Sequence, residues 1–351
     1  MSQVHNNVLI SFALQKWYEI NKRDLPWRKT KDPYIIWISE IILQQTRVNQ
    51  GYDYFIRFIK RFPDVESLAS ATEEEVLKIW QGLGYYSRAR NLHTASKQIV
   101  TEYKGEFPKS YHDILSLKGV GDYTAAAIAS IAFDLPFAVV DGNVNRVISR
   151  LFRVDGKKEI TVFAQLILDQ KNPSTHNQAL MELGALTCTP QNPLCHNCPL
   201  ANFCEAYINN EVLKYPTKKE SQKIRNRYFN YFHIVYGDNT FIRKRRAKDI
   251  WLNLYEFPLI ETTEQTSIIE ITENMQYMKL FGLLSHIELI QIHSMKHILT
   301  HQIIFATFYK IKIPTTEKFA ISNDFLSIKE EDIDKYPISR LIHKYLEKCQ
   351  E

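Results

Sequence analysis

Apolar side chains recur every three to four positions along most of the first 190 residues, and this spacing predicts a series of short helices. Proline and glycine residues, such as Pro33, Pro63, Gly82 and Pro108, separate the apolar segments. The predicted helices are residues 8–20, 34–47, 49–61, 73–80, 86–103, 111–117, 122–133, 143–152, 160–169 and 175–187. We therefore expect an all-α N-terminal domain.

The pattern changes after Tyr228, where β-branched and aromatic residues become frequent. Segments 228–235, 240–243 and 303–313 predict strands, and segment 333–347 predicts a helix. The chain is therefore predicted to be a multi-domain protein, with an all-α domain at 1–213, a basic linker at 214–227 and an α+β domain at 228–351.

The length of 351 residues also favours two domains, and 45% apolar with 24% charged residues excludes a mainly disordered chain. The most apolar run, Tyr34–Leu43, is too short and too polar to span a bilayer. The N-terminus has no signal-peptide pattern. These features predict a cytoplasmic protein that has no membrane partner.

Positive charge is concentrated in residues 217–248, which hold 10 basic and 2 acidic residues and carry a net charge of +8. The net charge of the whole chain is only +5, and residues 249–351 are net acidic. Such a stretch is typical either of a polyanion contact or of a solvated linker, and charge alone leaves both open.

Four of the five cysteines, Cys188, Cys195, Cys198 and Cys204, lie within 17 residues in the spacing C-x6-C-x2-C-x5-C. In a cytoplasmic protein this clustering predicts a metal site rather than a set of disulfides. Four thiolates suit zinc or an iron–sulfur cluster, and thiolate chemistry does not distinguish them.

Residues 117–125 (LKGVGDYTA) predict two helices that flank a tight turn with Gly119 and Gly121. Glycine allows close approach of the backbone to a ligand, and the amides at the start of the second helix favour a phosphate. The alternative is an ordinary helix–helix turn. With the small-residue helix that follows, the turn resembles the helix-hairpin-helix of DNA repair glycosylases, which holds a DNA backbone.

The stretches 39–46 (SEIILQQT), 82–88 (GLGYYSR), 117–125 and 140–146 (VDGNVNR), followed by the four cysteines, resemble the endonuclease III superfamily. Within it, nearly the whole chain resembles the MutY family of adenine DNA glycosylases. This resemblance implies a helix-hairpin-helix glycosylase domain with a [4Fe–4S] cluster loop at 188–204, followed by a NUDIX-like domain. It also implies a monomeric, nucleoid-associated enzyme that acts on duplex DNA in which adenine is mispaired with 8-oxoguanine or guanine.

Two carboxylic acids stand out in these motifs. Glu40 lies in an otherwise apolar predicted helix, where desolvation would raise its pKa and suit it to donate a proton. Asp141 precedes a predicted helix, as an N-cap does. The resemblance implies that Glu40 protonates N7 of adenine and that Asp141 stabilises positive charge on the sugar or forms a transient covalent link to it, with Asn143 orienting Asp141.

Tyr123 stands two residues after Gly121, where bifunctional relatives carry a lysine that forms a Schiff base. A phenol cannot form one, so the resemblance implies a glycosylase without lyase activity and places Tyr123 in the catalytic site. An endonuclease III-like glycosylase and lyase remains an alternative, and so does a non-catalytic zinc protein that binds DNA.

The resemblance assigns further residues to the two bases of the mispair. Arg28 and Gln178 match positions of the adenine pocket, and Gln45, Thr46 and Leu83 match the 8-oxoguanine side. Tyr85 would insert into the base stack, although core packing is the commoner role of an aromatic residue.

In the second domain, residues 249–259 (DIWLNLYEFPL) resemble the NUDIX-like domain of MutY, with Asn253 where a glycine is usual. No Glu-rich metal-binding helix follows, so no nucleotide pyrophosphatase activity is expected. Residues 296–302 (KHILTHQ) match the loop that inspects 8-oxoguanine, which implies roles for His297, Thr300 and His301. The alternative is a hairpin edge with incidental histidines.

Overall fold

The computed structural model describes residues 3–217, 224–282, 284 and 286–349. The chain divides into two compact units. The first is Met1–Ser70 with Asn91–Glu220, and the second is Ala71–Arg90 with Ser221–Glu351. The internal segment 71–90 thus belongs with the C-terminal part of the chain. In the described part of the chain, none of the helices has the length and apolar character needed to cross a membrane.

The helices and strands follow in chain order. The helices are α1 Gln3–Asn21, α2 Pro33–Leu43, α3 Val48–Arg61, α4 Val65–Ser70, α5 Glu73–Ile79, α6 Ser87–Glu102, α7 Tyr111–Ser116, α8 Asp122–Phe133, α9 Gly142–Phe152, α10 Lys157–Ile167, α11 Pro173–Leu186, α12 Glu205–Ile208, α13 Ile268–Thr272, α14 Met275–Phe281 and α15 Arg340–Cys349. The strands are β1 Arg225–Val235, β2 Asn239–Lys244, β3 Tyr255–Glu256, β4 Leu259–Thr262, β5 Glu288–Ile298, β6 Gln302–Lys312 and β7 Leu326–Lys329.

The first unit is helical, and local sequence explains where its central helix begins. Pro33 occupies the first turn of α2, where its missing amide costs no hydrogen bond, and the Asp32 side chain accepts from the Tyr34 amide at 2.9 Å. Most of the apolar side chains that follow are buried, and Ile35 and Leu43 are half-buried. Each predicted helix of this unit is present, although α1 begins earlier than predicted and α4 was not predicted.

One core cluster of the first unit lies between α1, α9, α10 and α11, where Leu14, Ile148 and Leu183 are fully buried. Gly184 allows α11 to approach α9, because a Cβ at this position would stand 2.6 Å from Cβ of Asn143. This close approach brings the start of α9 against α11.

The second unit contains a four-stranded sheet in the order β4-β1-β6-β5 and a three-stranded sheet in the order β3-β2-β7. Strands β1 and β6 are parallel, and the other pairs are antiparallel. On one face of the larger sheet, Tyr345 of α15 stacks on Phe308 at 4.1 Å, and on the other Phe281 of α14 contacts Phe232. The α+β class is thus as predicted.

Several elements of the second unit were not predicted. Strand β5 is largely exposed and has no Phe, Tyr or Trp, so it lacks the run of β-branched and aromatic residues that predicted β1 and β6. The predicted helix at 333–347 is wrong at its start, because residues Glu330–Lys335 form a 3-10 helix and α15 begins at Arg340.

Part of the positive charge of the basic stretch 217–248 is paired with carboxylates. Arg227 pairs with Asp249 and Glu261, and Arg245 pairs with Glu256 and Asp249. The residues that form such pairs are Arg227, Arg243, Lys244 and Arg245, whereas Lys218, Lys219 and Lys223 lie outside the described residues. These four residues therefore help to hold the second unit together, whereas the side chains of Arg225, Arg246 and Lys248 are exposed.

Candidate functional site

A cavity of about 480 Å³ opens in the first unit. It is lined by α2, α8, α11, the start of α9 and the segment before α2. Among its lining residues are seven that the sequence singled out: Arg28, Glu40, Thr46, Tyr123, Asp141, Asn143 and Gln178. The structure thus brings together residues that are far apart along the chain.

Glu40 projects from the apolar helix α2 and is only 7% exposed. Burial raises the pKa of its carboxyl to about 7, opposed by a hydrogen bond from the Tyr123 hydroxyl and assisted by the charge of Asp141. Burial and the same carboxyl raise the pKa of Tyr123 well above its usual range, so the phenol keeps its proton. Glu40 is therefore substantially protonated near neutral pH.

Asp141 is both the N-cap of α9 and a wall of the cavity. Its side chain accepts from the Val144 amide at 2.6 Å and from the Asn143 side chain at 2.9 Å. Burial raises the pKa of Asp141, and these two donors oppose the rise. The helix start therefore moderates the pKa of Asp141 but does not hold it below its usual value.

A second buried carboxylate in the cavity was missed by the sequence analysis. Glu182 of α11 has no exposed side-chain surface, and Arg28 binds both of its oxygens at 2.8 and 2.7 Å. Burial alone would raise the pKa of Glu182, but hydrogen bonds from Arg28 and Arg23 outweigh it and lower the pKa to about 2. An acidic residue within the apolar run 179–183 was the available signal, the same one that marked Glu40.

Glu40 and Glu182 therefore differ in charge although both are buried beside one cavity. Glu182 stays ionised because it has two guanidinium partners, whereas Glu40 has a neutral phenol. Of the two carboxyls, Glu40 is therefore the one that can carry a proton near neutral pH, and Glu182 provides a fixed negative charge.

A chain of hydrogen bonds connects Asp141 to the cysteine loop. Asn143 bonds Asp141, and Arg146 donates to Asn143 Oδ1 at 2.9 Å and to the Cys188 carbonyl at 2.7 Å. Arg150, only 2% exposed, donates to Cys188 Sγ at 3.3 Å. The start of α9 and the cysteine loop are thus fixed to the same helix.

The hairpin between α7 and α8 has two exposed glycines with different conformations. Gly119 has φ of 79°, and a Cβ there would stand 2.5 Å from Cβ of Asn91. Gly121 is extended and caps α8, and a Cβ there would meet no atom within 4 Å. The turn therefore requires glycine at 119, while position 121 leaves the amides at the start of α8 open to a ligand.

The cysteine loop fits an iron–sulfur cluster. Cys188, Cys195, Cys198 and Cys204 are half-buried free thiols, and no group of three or more His, Cys, Asp or Glu among the described residues is arranged for a single metal ion. The ligands of a cluster bind separate iron atoms and stand farther apart than four ligands of one zinc ion. Burial raises the pKa of Cys198 to about 12, and the other three cysteines contribute in the same direction, so bound iron would stabilise the thiolates.

In the second unit, Tyr85 and Thr300 line a cavity of about 470 Å³, together with Trp251 and His301. Tyr85 is 45% exposed, has φ of 46° and shares a hydrogen bond of 2.5 Å with the Thr300 hydroxyl. Thr300 and His301 form the exposed turn between β5 and β6. Tyr86, the neighbour of Tyr85, is instead buried in the core.

Three predicted site residues lie elsewhere. His297 lies within β5, and its ring centroid is 5.8 Å from that of Trp251. It is not among the residues that line the Tyr85 cavity. Leu83 is buried and also outside that set. Gln45 is exposed with φ of 55°, next to Thr46, and does not line the Glu40 cavity.

Comparison with known proteins identifies three matched regions of the chain. Residues 38–168 match the HhH-GPD superfamily of base excision DNA repair proteins, residues 188–204 match the iron-sulfur binding domain of endonuclease III, and residues 230–348 match the NUDIX domain. A thermostable thymine-DNA glycosylase has a TM-score of 0.54 and 29% identity, covering 58% of this chain and 97% of that one. A trapped endonuclease III–DNA covalent intermediate shares the fold, with a TM-score of 0.53 and 22% identity over 60% of this chain and 99% of that one.

Fold and site therefore define a helix-hairpin-helix base excision repair protein with a NUDIX-like domain, and the endonuclease III-type loop confirms the predicted [4Fe–4S] cluster. Adenine DNA glycosylases of Buchnera aphidicola from Schizaphis graminum and from Baizongia pistaciae are 38% and 36% identical, covering 74% and 82% of this chain and 77% and 82% of those proteins. The adenine DNA glycosylase of Mus musculus is 44% identical over 55% of this chain and 41% of its own length. The chain belongs to the adenine DNA glycosylase family.

Proposed function

We propose that this protein is a monofunctional DNA glycosylase that hydrolyses adenine from duplex DNA in which adenine faces 8-oxoguanine or guanine. The observation that carries the proposal is the buried Glu40, with a pKa of about 7, beside Asp141 in a cavity of about 480 Å³. Membership of the adenine DNA glycosylase family supports the choice of adenine, and the helix-hairpin-helix supports binding to DNA.

The substrate base must leave the duplex, because an atom within stacked base pairs cannot be reached. The flipped adenine enters the cavity, where Gln178 and Arg28 are available to its polar edge. Glu182 fixes the Arg28 guanidinium through two hydrogen bonds, so this side chain is already oriented before the base arrives.

The reaction is a glycoside hydrolysis with two carboxyl groups in different roles. Protonated Glu40 donates its proton to N7 of adenine, the bond between C1′ and N9 breaks, and its electron pair leaves with the base. The ionised Asp141 stabilises the positive charge that develops on the sugar or bonds to C1′ transiently. Water then adds to C1′ and releases its proton, and an abasic site remains.

The proposed enzyme does not cut the DNA backbone through a Schiff base. Tyr123 occupies the position where such an enzyme needs an amine, and its hydroxyl is bound to Glu40. Borohydride should therefore trap little covalent protein–DNA adduct. Strong trapping would instead favour the endonuclease III-like alternative.

The second unit would read the base opposite adenine. Tyr85 is exposed on a loop with Gly82 and Gly84 in positive φ, as a wedge requires, and the Thr300 hydroxyl lies beside it. The hydroxyl can bond the oxidised base, and His301 follows on the same turn. Roles for Gln45, Thr46 and Leu83 on the 8-oxoguanine side, and for His297, stay predictions.

The four cysteines would hold the [4Fe–4S] cluster, which when bound crosslinks the loop at 188–204. Arg150 and Arg146 fix the protein side of this loop through Cys188. Adenine release needs no electron transfer, so the role assigned to these residues is to maintain the loop.

The test is a single-turnover assay on duplexes with adenine opposite 8-oxoguanine, guanine or thymine. Glu40→Gln should abolish adenine release, because an amide cannot supply the proton, whereas Glu102→Gln, an exposed residue, should release adenine at the wild-type rate. Full activity of Glu40→Gln would show that the mechanism is wrong. Thr300→Ala should reduce the preference for 8-oxoguanine over guanine, whereas the exposed Thr316→Ala should not.

A further inference from the structure

Part of the four-stranded sheet in the second unit carries an unusual set of side chains. The strand register places Tyr228, Phe305 and Lys296 side by side on β1, β6 and β5. The next position along the same face holds Asn230, Thr307 and Ser294. We refer to these six residues as the open sheet face, and they line a cavity of about 230 Å³ together with Gln265 and Thr266.

Further along the same face, the part of β1 and β6 that lies under α14 is covered. Further along β1 and β6, Phe232 and Tyr309 are fully buried and form a core cluster with Phe281 of α14. Tyr228 and Phe305 are only half-buried. A sheet face left to water usually carries polar side chains, so two aromatic rings that keep part of their surface accessible in a cavity indicate a ligand surface.

The aromatic pair and the lysine form an ordered row. The rings of Tyr228 and Phe305 are stacked, with centroids 5.3 Å apart and an interplanar angle of 15°. Lys296 Nζ lies 5.6 Å from the Phe305 ring centroid. Apolar rings and one ammonium thus form one end of the cavity.

The other end of the cavity offers hydrogen bonds. The Asn230 amide nitrogen donates to the Ile260 carbonyl at 3.2 Å and to Thr262 Oγ1 at 3.3 Å, which leaves its amide oxygen as an acceptor for a ligand. The Ser294 and Thr307 hydroxyls are 3.3 Å apart and each can donate or accept. A ligand that has a flat polar ring and an anionic group would therefore find suitable partners at both ends of the cavity.

We propose that the open sheet face binds one unpaired nucleotide, separately from the cavity that contains Glu40. The base contacts Tyr228 and Phe305 and is hydrogen-bonded by the Asn230, Thr307 and Ser294 side chains, and Lys296 binds the phosphate. Aromatic side chains on a sheet with a nearby cation are a general solution for unpaired bases. A cavity of about 230 Å³ suits one base rather than a base pair.

Photocrosslinking of the full-length, cluster-loaded protein tests the proposal. One sample receives 8-azidoadenosine 5′-monophosphate and another a single-stranded oligonucleotide that contains one 5-iododeoxyuridine. After irradiation, digestion and mass spectrometry, we expect adducts on peptides that contain Tyr228 or Phe305. Adducts from both probes identify a site that accepts free nucleotides, and adducts from the oligonucleotide alone identify a contact for a DNA strand.

The matched variants are Lys296→Ala and Lys312→Ala, two exposed lysines on neighbouring strands of the sheet. Lys296→Ala should lower the adduct yield at the open sheet face roughly tenfold, as expected for the loss of one charge-assisted hydrogen bond to a phosphate, and Lys312→Ala should not. Equal thermal unfolding midpoints of the two variants exclude a folding defect. Adducts confined to other peptides, or an equal yield in Lys296→Ala and wild type, would overturn the proposal. Adenine release reports on the Glu40 cavity and is measured separately from crosslinking, because none of the six residues of the open sheet face lines that cavity.

Discussion

Replacing Tyr123 by phenylalanine should shift the alkaline limb of the pH–rate profile of adenine release to higher pH. The Tyr123 hydroxyl donates to Glu40 Oε2 and so stabilises the ionised carboxylate. A hydrogen bond to a charged group contributes about 1.5–3 kcal/mol, which corresponds to roughly one to two pH units. Without this donor, burial dominates and the pKa of Glu40 should rise above the value of about 7.

The assay measures the single-turnover rate constant of adenine release on an adenine–8-oxoguanine duplex, across the pH range in which the protein stays folded. In the wild type, the active form has Glu40 protonated, so the rate constant should be half-maximal near pH 7 and fall about tenfold for each further unit. On the acid side, the rate constant should fall as Asp141 becomes protonated, at a pH above the usual range of an aspartate.

Tyr123→Phe should retain activity with its alkaline limb displaced upward, because the acid is kept and only its pKa changes. The matched control is Tyr103→Phe, because Tyr103 does not line the Glu40 cavity. This variant should leave the alkaline limb of the pH–rate profile unchanged. An alkaline limb that stays in place or moves to lower pH in Tyr123→Phe would refute the assignment of Glu40 as the titrating acid.

Three further predictions concern the Arg28–Glu182 pair, the contact between α9 and α11, and the cysteine loop. Glu182→Gln should lower the free energy of unfolding in urea at pH 7 by roughly 3–5 kcal/mol, because it leaves Arg28 buried without its anion. The pKa of Glu182 is about 2, so the wild type should lose its extra stability over this variant as the pH falls below about 4.5 toward 2. Gly184→Ala should lower the free energy of unfolding by about 1–3 kcal/mol, because the added Cβ would stand 2.6 Å from Cβ of Asn143 and 3.0 Å from its carbonyl oxygen. Cys198→Ser should lose the broad visible absorption of the cluster and part of its iron, measured by spectroscopy and metal analysis.

Each of these variants has a matched control. Glu102→Gln removes an exposed carboxylate and should leave the unfolding free energy unchanged. Gly156→Ala places its Cβ 3.1 Å from the flexible end of Glu159 and should be tolerated. Cys349→Ser, outside the loop, should keep the visible absorption. Equal effects in a variant and its control would contradict the reasoning for that pair.

The features that sequence patterns predicted are local ones. Glu40 was recognised because the residues around it within one helix are apolar, and burial follows from that pattern. Asp141 was recognised from a cap and a family motif, and the cysteines from their spacing. In each case the informative residues lie within a few positions of one another, so a short stretch of chain contains the whole signal.

The sequence by itself therefore determined the two fold classes, the burial of Glu40 in an apolar helix, the cysteine loop and the tyrosine at position 123. Only the tertiary structure decided which buried carboxyl is protonated, because Arg28 and Glu182 are 154 positions apart and no local pattern pairs them. It also decided that segment 71–90 belongs with the C-terminal unit and that the open sheet face exists, since three strands separated along the chain must pair in one register to form it. The protonation state of a buried group depends on its partners in space, and these are fixed only when the chain is packed.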